Sequence, residues 1–163
     1  SFLEEEKKYA IELSQLLNVT LSVINTSSDN KKNIILPIAP QYIEKILSGE
    51  KKYEYRKVAC KKPIEKMLIY ATAPIMQVVG EADIREVLVD DPEEIWNRTN
   101  EFSGITKDFF DTYYKDRNKA VAYKVENIEK YIRPKTLEDF GVSYAPQSFV
   151  YSKLLEEYIK KIK

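Results

Sequence analysis

The 163-residue chain contains no histidine. That excludes Ser-His-Asp and Cys-His catalysis and every His-ligated zinc or iron site. A single cysteine, Cys60, permits neither an intrachain disulfide nor a Cys-rich metal site. The four glycines, Gly49, Gly80, Gly104 and Gly141, are too scattered for a dinucleotide fingerprint or a P-loop. No apolar run approaches the roughly 20 residues of a spanning helix, and no signal-peptide pattern opens the sequence. The expectation is a protein with no membrane contact, no metal and no cofactor, placed by its lone thiol in a reducing, cytoplasmic setting. An excess of one charge is also missing, with 26 basic residues against 26 acidic. This argues against a strongly basic nucleic-acid domain and leaves room for a local basic cleft. Any catalysis has to run on Lys, Glu, Asp, Tyr, Thr or Ser.

Hydrophobic residues make up 44% of the chain and charged residues 32%, enough apolar content for a packed core. The length suits one domain, or one domain with an appendage. The first residue is Ser1 rather than methionine, which reads as a processed product or a fragment. Tyr9, Ala10, Leu13, Leu16 and Leu17 recur at helical spacing and predict a helix over 2–17. Leu21 to Ile24 reads as a short strand, and the polar stretch Asn25 to Asn33 as a linker. The domain plan is therefore a helical appendage and linker at 1–32, the tail of an upstream domain in one reading, then a globular unit at 33–151 and a helix at 152–163.

Within the globular unit, Ile34 to Ile38 predicts a strand, and Pro40 opens a helix striped with Tyr42, Ile43, Ile46 and Leu47 and stopped by Gly49. Tyr53–Arg56, Met67–Ala71 and Gln77–Val89 read as strands, the last bent near Gly80. Asp91 and Thr106 cap two helices. Ala120 to Ile132 is a strand bounded by Pro134. This order lacks the regular alternation of a doubly wound sheet. The predicted fold class is α+β: a small β-barrel or curled sheet with flanking helices and an N-terminal helical appendage.

The most informative stretch is Gly49-Glu50-Lys51-Lys52-Tyr53-Glu54-Tyr55-Arg56. Alternation along the strand places Glu54 and Arg56 on one face, while the side of Lys51 cannot be read from parity. With residue usages near ~6%, chance gives Gly-x-Lys-x-x-Glu-x-Arg in about one chain in 500 of this length. Lys51 and Arg56 can neutralise phosphate, Glu54 can orient Arg56 or accept from a base amino group, and Tyr42, Tyr53, Tyr55 and Tyr70 offer stacking faces. The structural alternative is a Glu54–Arg56 pair that fixes the strand, with tyrosines as packing.

This spacing resembles the ASCH domain, a PUA-like family. Leu36-Pro37-Ile38, Tyr42 to Leu47, Tyr70-Ala71-Thr72-Ala73-Pro74, Val78 to Glu81, Phe102 to Ile105 and Pro146-Gln147-Ser148-Phe149 extend the resemblance across roughly 33–151, in the manner of bacterial stand-alone members. The resemblance implies a PUA-like barrel whose Lys51, Glu54 and Arg56 point into a cleft, with Tyr70, Gln147 and Ser148 as further ligand-binding candidates. It implies an RNA partner or a nucleotide-like small molecule, and a regulatory role in transcription or translation. Related proteins hydrolyse an acetylated cytidine with a Lys–Thr–Glu set; here Glu54 stands where the threonine would be, leaving Lys51 and Thr72 as the catalytic pair of an amidohydrolase reading. A histidine-free ribonuclease using Lys51 and Arg56 is a third reading. Binding is favoured over catalysis.

Other features have plainer explanations. Trp96, Phe102, Phe109, Phe110, Tyr113 and Tyr114 read as helix packing, with a protein-interaction patch as the functional alternative. Asp90, Asp91, Glu93 and Glu94 are explained by capping rather than a metal. Flanking lysines could lower the Cys60 pKa, but with no base available Cys60 reads as an incidental surface or core thiol. The apolar stripes of the terminal helices suggest packing on the barrel, or a homodimer or fusion contact.

Overall fold

The computed structural model describes residues 32–151 and the isolated helical positions Lys8, Glu12, Leu13 and Gln15. Those four positions fall inside the helix predicted over 2–17. The strand at 21–24 and the helix at 152–163 lie outside the described residues.

Strand β1 (Lys32–Ile38) begins just inside the predicted linker, and helix α1 (Pro40–Leu47) follows. Strands β2 (Tyr53–Arg56), β3 (Ile64–Ala71) and β4 (Gln77–Asp90) come next, then helices α2 (Pro92–Thr99) and α3 (Lys107–Tyr113). Strand β5 (Ala120–Lys135) and the two-residue β6 (Val150–Tyr151) close the order. The sheet runs β2-β5-β4-β3-β1-β6, with β1 and β3 parallel and the remaining pairs antiparallel. It is a curled half-barrel, with β2 and β6 as its edges among the described residues, rather than a closed barrel. Three register shifts between β4 and β5 bend the long strands.

Residue alternation builds the core on both sides of β1 and β3. Ile34, Leu36 and Ile38 join Met67, Ile69 and Ala71 against Ile43 and Ile46 of α1. Ile35, Leu68 and Tyr70 face the other way, against Phe140 and Val142. Burial on both faces is why these strands read as continuous apolar runs. A third cluster, Tyr55, Leu88, Ile95, Phe110, Tyr114, Ala120 and Ala122, packs α2 and α3 on the other end of the sheet.

The caps form as the sequence requires. The Asp91 carboxylate accepts from the Glu93 amide at 2.9 Å, and the Thr106 hydroxyl accepts from the Phe109 amide at 3.1 Å. The expectation that Pro134 bounds β5 is corrected: the strand continues to Lys135. Pro134 falls in the register gap between the Lys130–Gly80 and Lys135–Val78 pairings, where its missing N–H breaks no ladder bond. Among the described residues, no helix is long and apolar enough to cross a membrane.

Candidate functional site

A cleft of about 170 Å³ opens between the end of β1, the start of α1, strand β2 and helix α3. Lys51, Glu54 and Arg56 form its polar floor, and Tyr42, Ile105, Phe109 and Tyr113 stand among its walls.

The turn that delivers Lys51 is tied down on both sides. Gly49 takes φ +82 and ends α1, and its amide donates to the Ile46 carbonyl at 3.1 Å. The Lys51 amide donates to the Lys45 carbonyl, and the Lys52 amide to the Phe102 carbonyl, each at 2.9 Å. The Lys51 side chain then runs inward and is buried. Its ammonium donates to the Ser103 carbonyl at 2.6 Å, lies 3.9 Å from Glu54 Oε2, and sits 4.8 Å from the centre of the Tyr55 ring. Gly104 leaves the space for this path: a Cβ there would meet Lys51 Cβ at 2.6 Å, and its φ of +67 suits glycine.

Strand parity brings Glu54 and Arg56 together as expected. Arg56 donates from one terminal nitrogen to the Pro37 carbonyl, and that nitrogen lies 3.2 Å from Glu54 Oε1. Two polar atoms in this buried pair lack hydrogen-bond partners among the described residues: Glu54 Oε2 and Arg56 Nε. Both atoms are closed off from solvent, and Glu54 Oε2 has only the Lys51 ammonium at 3.9 Å, so a donor and an acceptor lie without hydrogen bonds just under the cleft floor, an arrangement that calls for a reason in a folded protein.

Burial pushes the Lys51 pKa below the usual lysine value; the Glu54 charge works against that shift, and Arg56 and Lys45 reinforce it. Burial raises Tyr55 to about 12. The Thr99 hydroxyl donates to the Ile95 carbonyl at 2.6 Å, so Tyr55, 2.7 Å away, is the donor in the Tyr55–Thr99 contact.

The remaining sequence candidates lie elsewhere. Tyr70 is packed with Ile35 and Leu68 on the face opposite α1. Thr72 does not line the cleft; its amide donates to the Ile38 carbonyl at 3.1 Å. Gln147 and Ser148 are exposed in the segment leading to β6 and are also absent from the cleft walls. Phe109 and Tyr113, read from sequence as packing, line the cleft, whereas Phe110 and Tyr114 fill the core. The Ser103 carbonyl was missed as a partner; Phe102 to Ile105 stood out in the sequence only as part of a resemblance. The flanking lysines do not lower the Cys60 pKa: burial raises it, with Tyr123 Oη 3.4 Å from Sγ. No cluster of three or more potential metal-ligating residues occurs among the described residues.

Comparison with known proteins adds four findings. Residues 31–147 match the family model described as a domain of unknown function, DUF365. A curated ASCH domain-containing ribonuclease of Zymomonas mobilis is 25% identical over 114 residues, covering 69% of this chain and 76% of that protein. The crystal structure of ASCH from Zymomonas mobilis superposes with a TM-score of 0.69 at 23% identity, covering 80% of this chain and 94% of that one. The chain is also 31% identical over 129 residues to a segment of ATP synthase subunit alpha of Ureaplasma parvum serovar 3, covering 78% of this chain and 16% of that protein. It spans half or less of the first curated relatives it matches.

Proposed function

The chain belongs to the DUF365 family, an ASCH-like family, and on that premise we propose that its cleft binds single-stranded RNA by seating one unpaired base against Glu54 and Arg56. The observation that carries this is the Glu54–Arg56 pair in the cleft lining, whose Oε2 and Nε have no hydrogen-bond partner among the described residues and become available to a guest that opens the cleft floor. The Watson–Crick edge of every base sets a donor beside an acceptor, the complement of this pair. Cleft size supports a base-sized guest: about 170 Å³ is below the roughly 300 Å³ at which drug-sized pockets begin. Tyr42, Phe109 and Tyr113 supply aromatic surface for stacking, the usual means of holding an unpaired base.

A regulatory role for a module of this kind fits binding without turnover. The test is fluorescence anisotropy of mixed-sequence single-stranded RNA with the wild type, Lys51→Ala and Glu54→Gln. Binding that weakens in both variants supports the reading; equal affinity in all three overturns it.

One observation favours a second reading, ribonuclease activity: a relative bearing that name aligns over most of its length. In that reading Lys51 and Arg56 stabilise the charge that builds on a phosphate under attack. Gel analysis of the same RNA after incubation with chelator separates the two, since only an enzyme shortens it. The amidohydrolase reading gains no support, because no serine or threonine is among the residues lining the cleft.

A further inference from the structure

Beside the cleft lies a second, polar depression of about 440 Å³, lined by Lys57, Lys115, Asp116, Arg117, Asn118 and Lys119. It holds four cations against one carboxylate. Two other lysines are neutralised: Lys66 lies 3.0 Å from Asp83, and Lys107 lies 2.6 Å from Glu93. Lys57, Lys115, Arg117 and Lys119 form no ion pair among the described residues. A helix C-terminus attracts a cation, but that accounts for Lys115 and not for Lys57, which comes from the end of β2.

The two depressions share a wall. Lys57 Nζ stands 4.8 Å from the centre of the Tyr113 ring, and Tyr113 lines the cleft. The loop is pinned to that wall by backbone: the Arg117 amide donates to the Tyr114 carbonyl at 3.0 Å. The Tyr114 hydroxyl in turn donates to the Arg56 carbonyl at 2.8 Å, joining α3 to β2. The backbone that carries these cations is therefore anchored relative to the base-binding floor.

We propose that the α3–β5 loop, with Lys57, is a phosphate track that receives the RNA backbone as it leaves the cleft. This deepens the RNA reading and rests on it. The cleft holds a base and the track holds the phosphates that follow, so that affinity grows with strand length and falls with salt. An unpaired cation cluster fits a polyanion with regularly spaced charges, and its continuity with an aromatic-walled cleft favours RNA over an acidic protein.

The experiment uses fluorescein-labelled mixed-sequence 12-nucleotide RNA and, separately, cytidine 5′-monophosphate. The proteins are the wild type, the triple variant Lys115→Ala/Arg117→Ala/Lys119→Ala, and a control with Lys130→Ala/Arg133→Ala at the far end of β5. At about 0.7 per phosphate, the triple variant should lower the log–log salt slope by about 2. Raising salt from about 50 to about 200 mM should then cost the wild type about 20-fold more affinity than the variant. Nucleotide affinity and the control's slope should stay unchanged. An unchanged slope in the triple variant overturns the track and leaves the cleft standing, and it is also the result if the loop docks an acidic protein. Loss of nucleotide binding in the triple variant overturns the track by showing a structural loop. Absence of RNA binding by the wild type overturns both readings.

Discussion

The space a side chain at Gly104 would need is filled by Lys51: a Cβ at position 104 would lie 2.6 Å from Lys51 Cβ and 2.8 Å from its Cγ and Cδ. The buried ammonium reaches the Ser103 carbonyl because the next residue has no side chain.

Gly104→Ala should therefore act on the fold and the cleft together. Strain at φ +67 and displacement of Lys51 should cost about 1–3 kcal/mol of stability. Urea unfolding measures the first effect and RNA anisotropy the second. Wild-type stability with intact binding would show that the contact is not required.

Stability should depend on pH through Lys51 in a definite direction. Its folded pKa lies below the ordinary 10.5, so between the two values the unfolded chain binds more protons and stability rises with pH. Tyr55, raised to about 12 from 10.0, works oppositely: above pH 10 the unfolded chain releases its proton first and stability falls. Urea midpoints from pH 7 to 11 should rise and then drop. Lys51→Met should flatten the rising limb and keep the fall; an identical profile in that variant would refute the assignment.

Tyr55→Phe removes the hydroxyl that donates to Thr99 and should cost about 1 kcal/mol. RNA affinity should stay close to wild type, because that bond lies behind the cleft rather than at its guest. A large loss of binding without loss of stability would place the Tyr55 hydroxyl in the site.

Glu54→Gln preserves shape while removing the charged acceptor. Binding should weaken by about 1.5–3 kcal/mol, the range for hydrogen bonds to charged groups. The loss of the opposing charge should also push the Lys51 pKa further down. Titration of the variant against RNA, with circular dichroism as a fold check, measures the effect.

Much of this arrangement could be read from the sequence where it depended on neighbours. The capped helices, the stop at Gly49 and the pairing of Glu54 with Arg56 follow from local rules, and the structure has them. Lys51 was a candidate, but its burial depends on Ser103, 52 residues further on, which no local rule connects. Tyr70 shows parity neglected: Ile69 and Ala71 face α1, so the residue between them faces away. Helix α3 shows a stripe read too simply. Phe110 and Tyr114 turn inward, and the residues one step earlier, Phe109 and Tyr113, form the cleft wall. Pro134 reads as a strand end, and only the pairing register shows that its missing donor falls where none is needed.

The most direct measurement follows the Arg56 Nε–H signal by nitrogen-edited NMR while single-stranded RNA is titrated into the labelled protein. That donor has no hydrogen-bond partner among the described residues. We expect it to move to lower field and saturate as a base acceptor engages it, and to need about 10- to 150-fold more RNA to do so in Glu54→Gln. A stationary Arg56 signal while backbone amides elsewhere report RNA binding would contradict a base seated in this cleft.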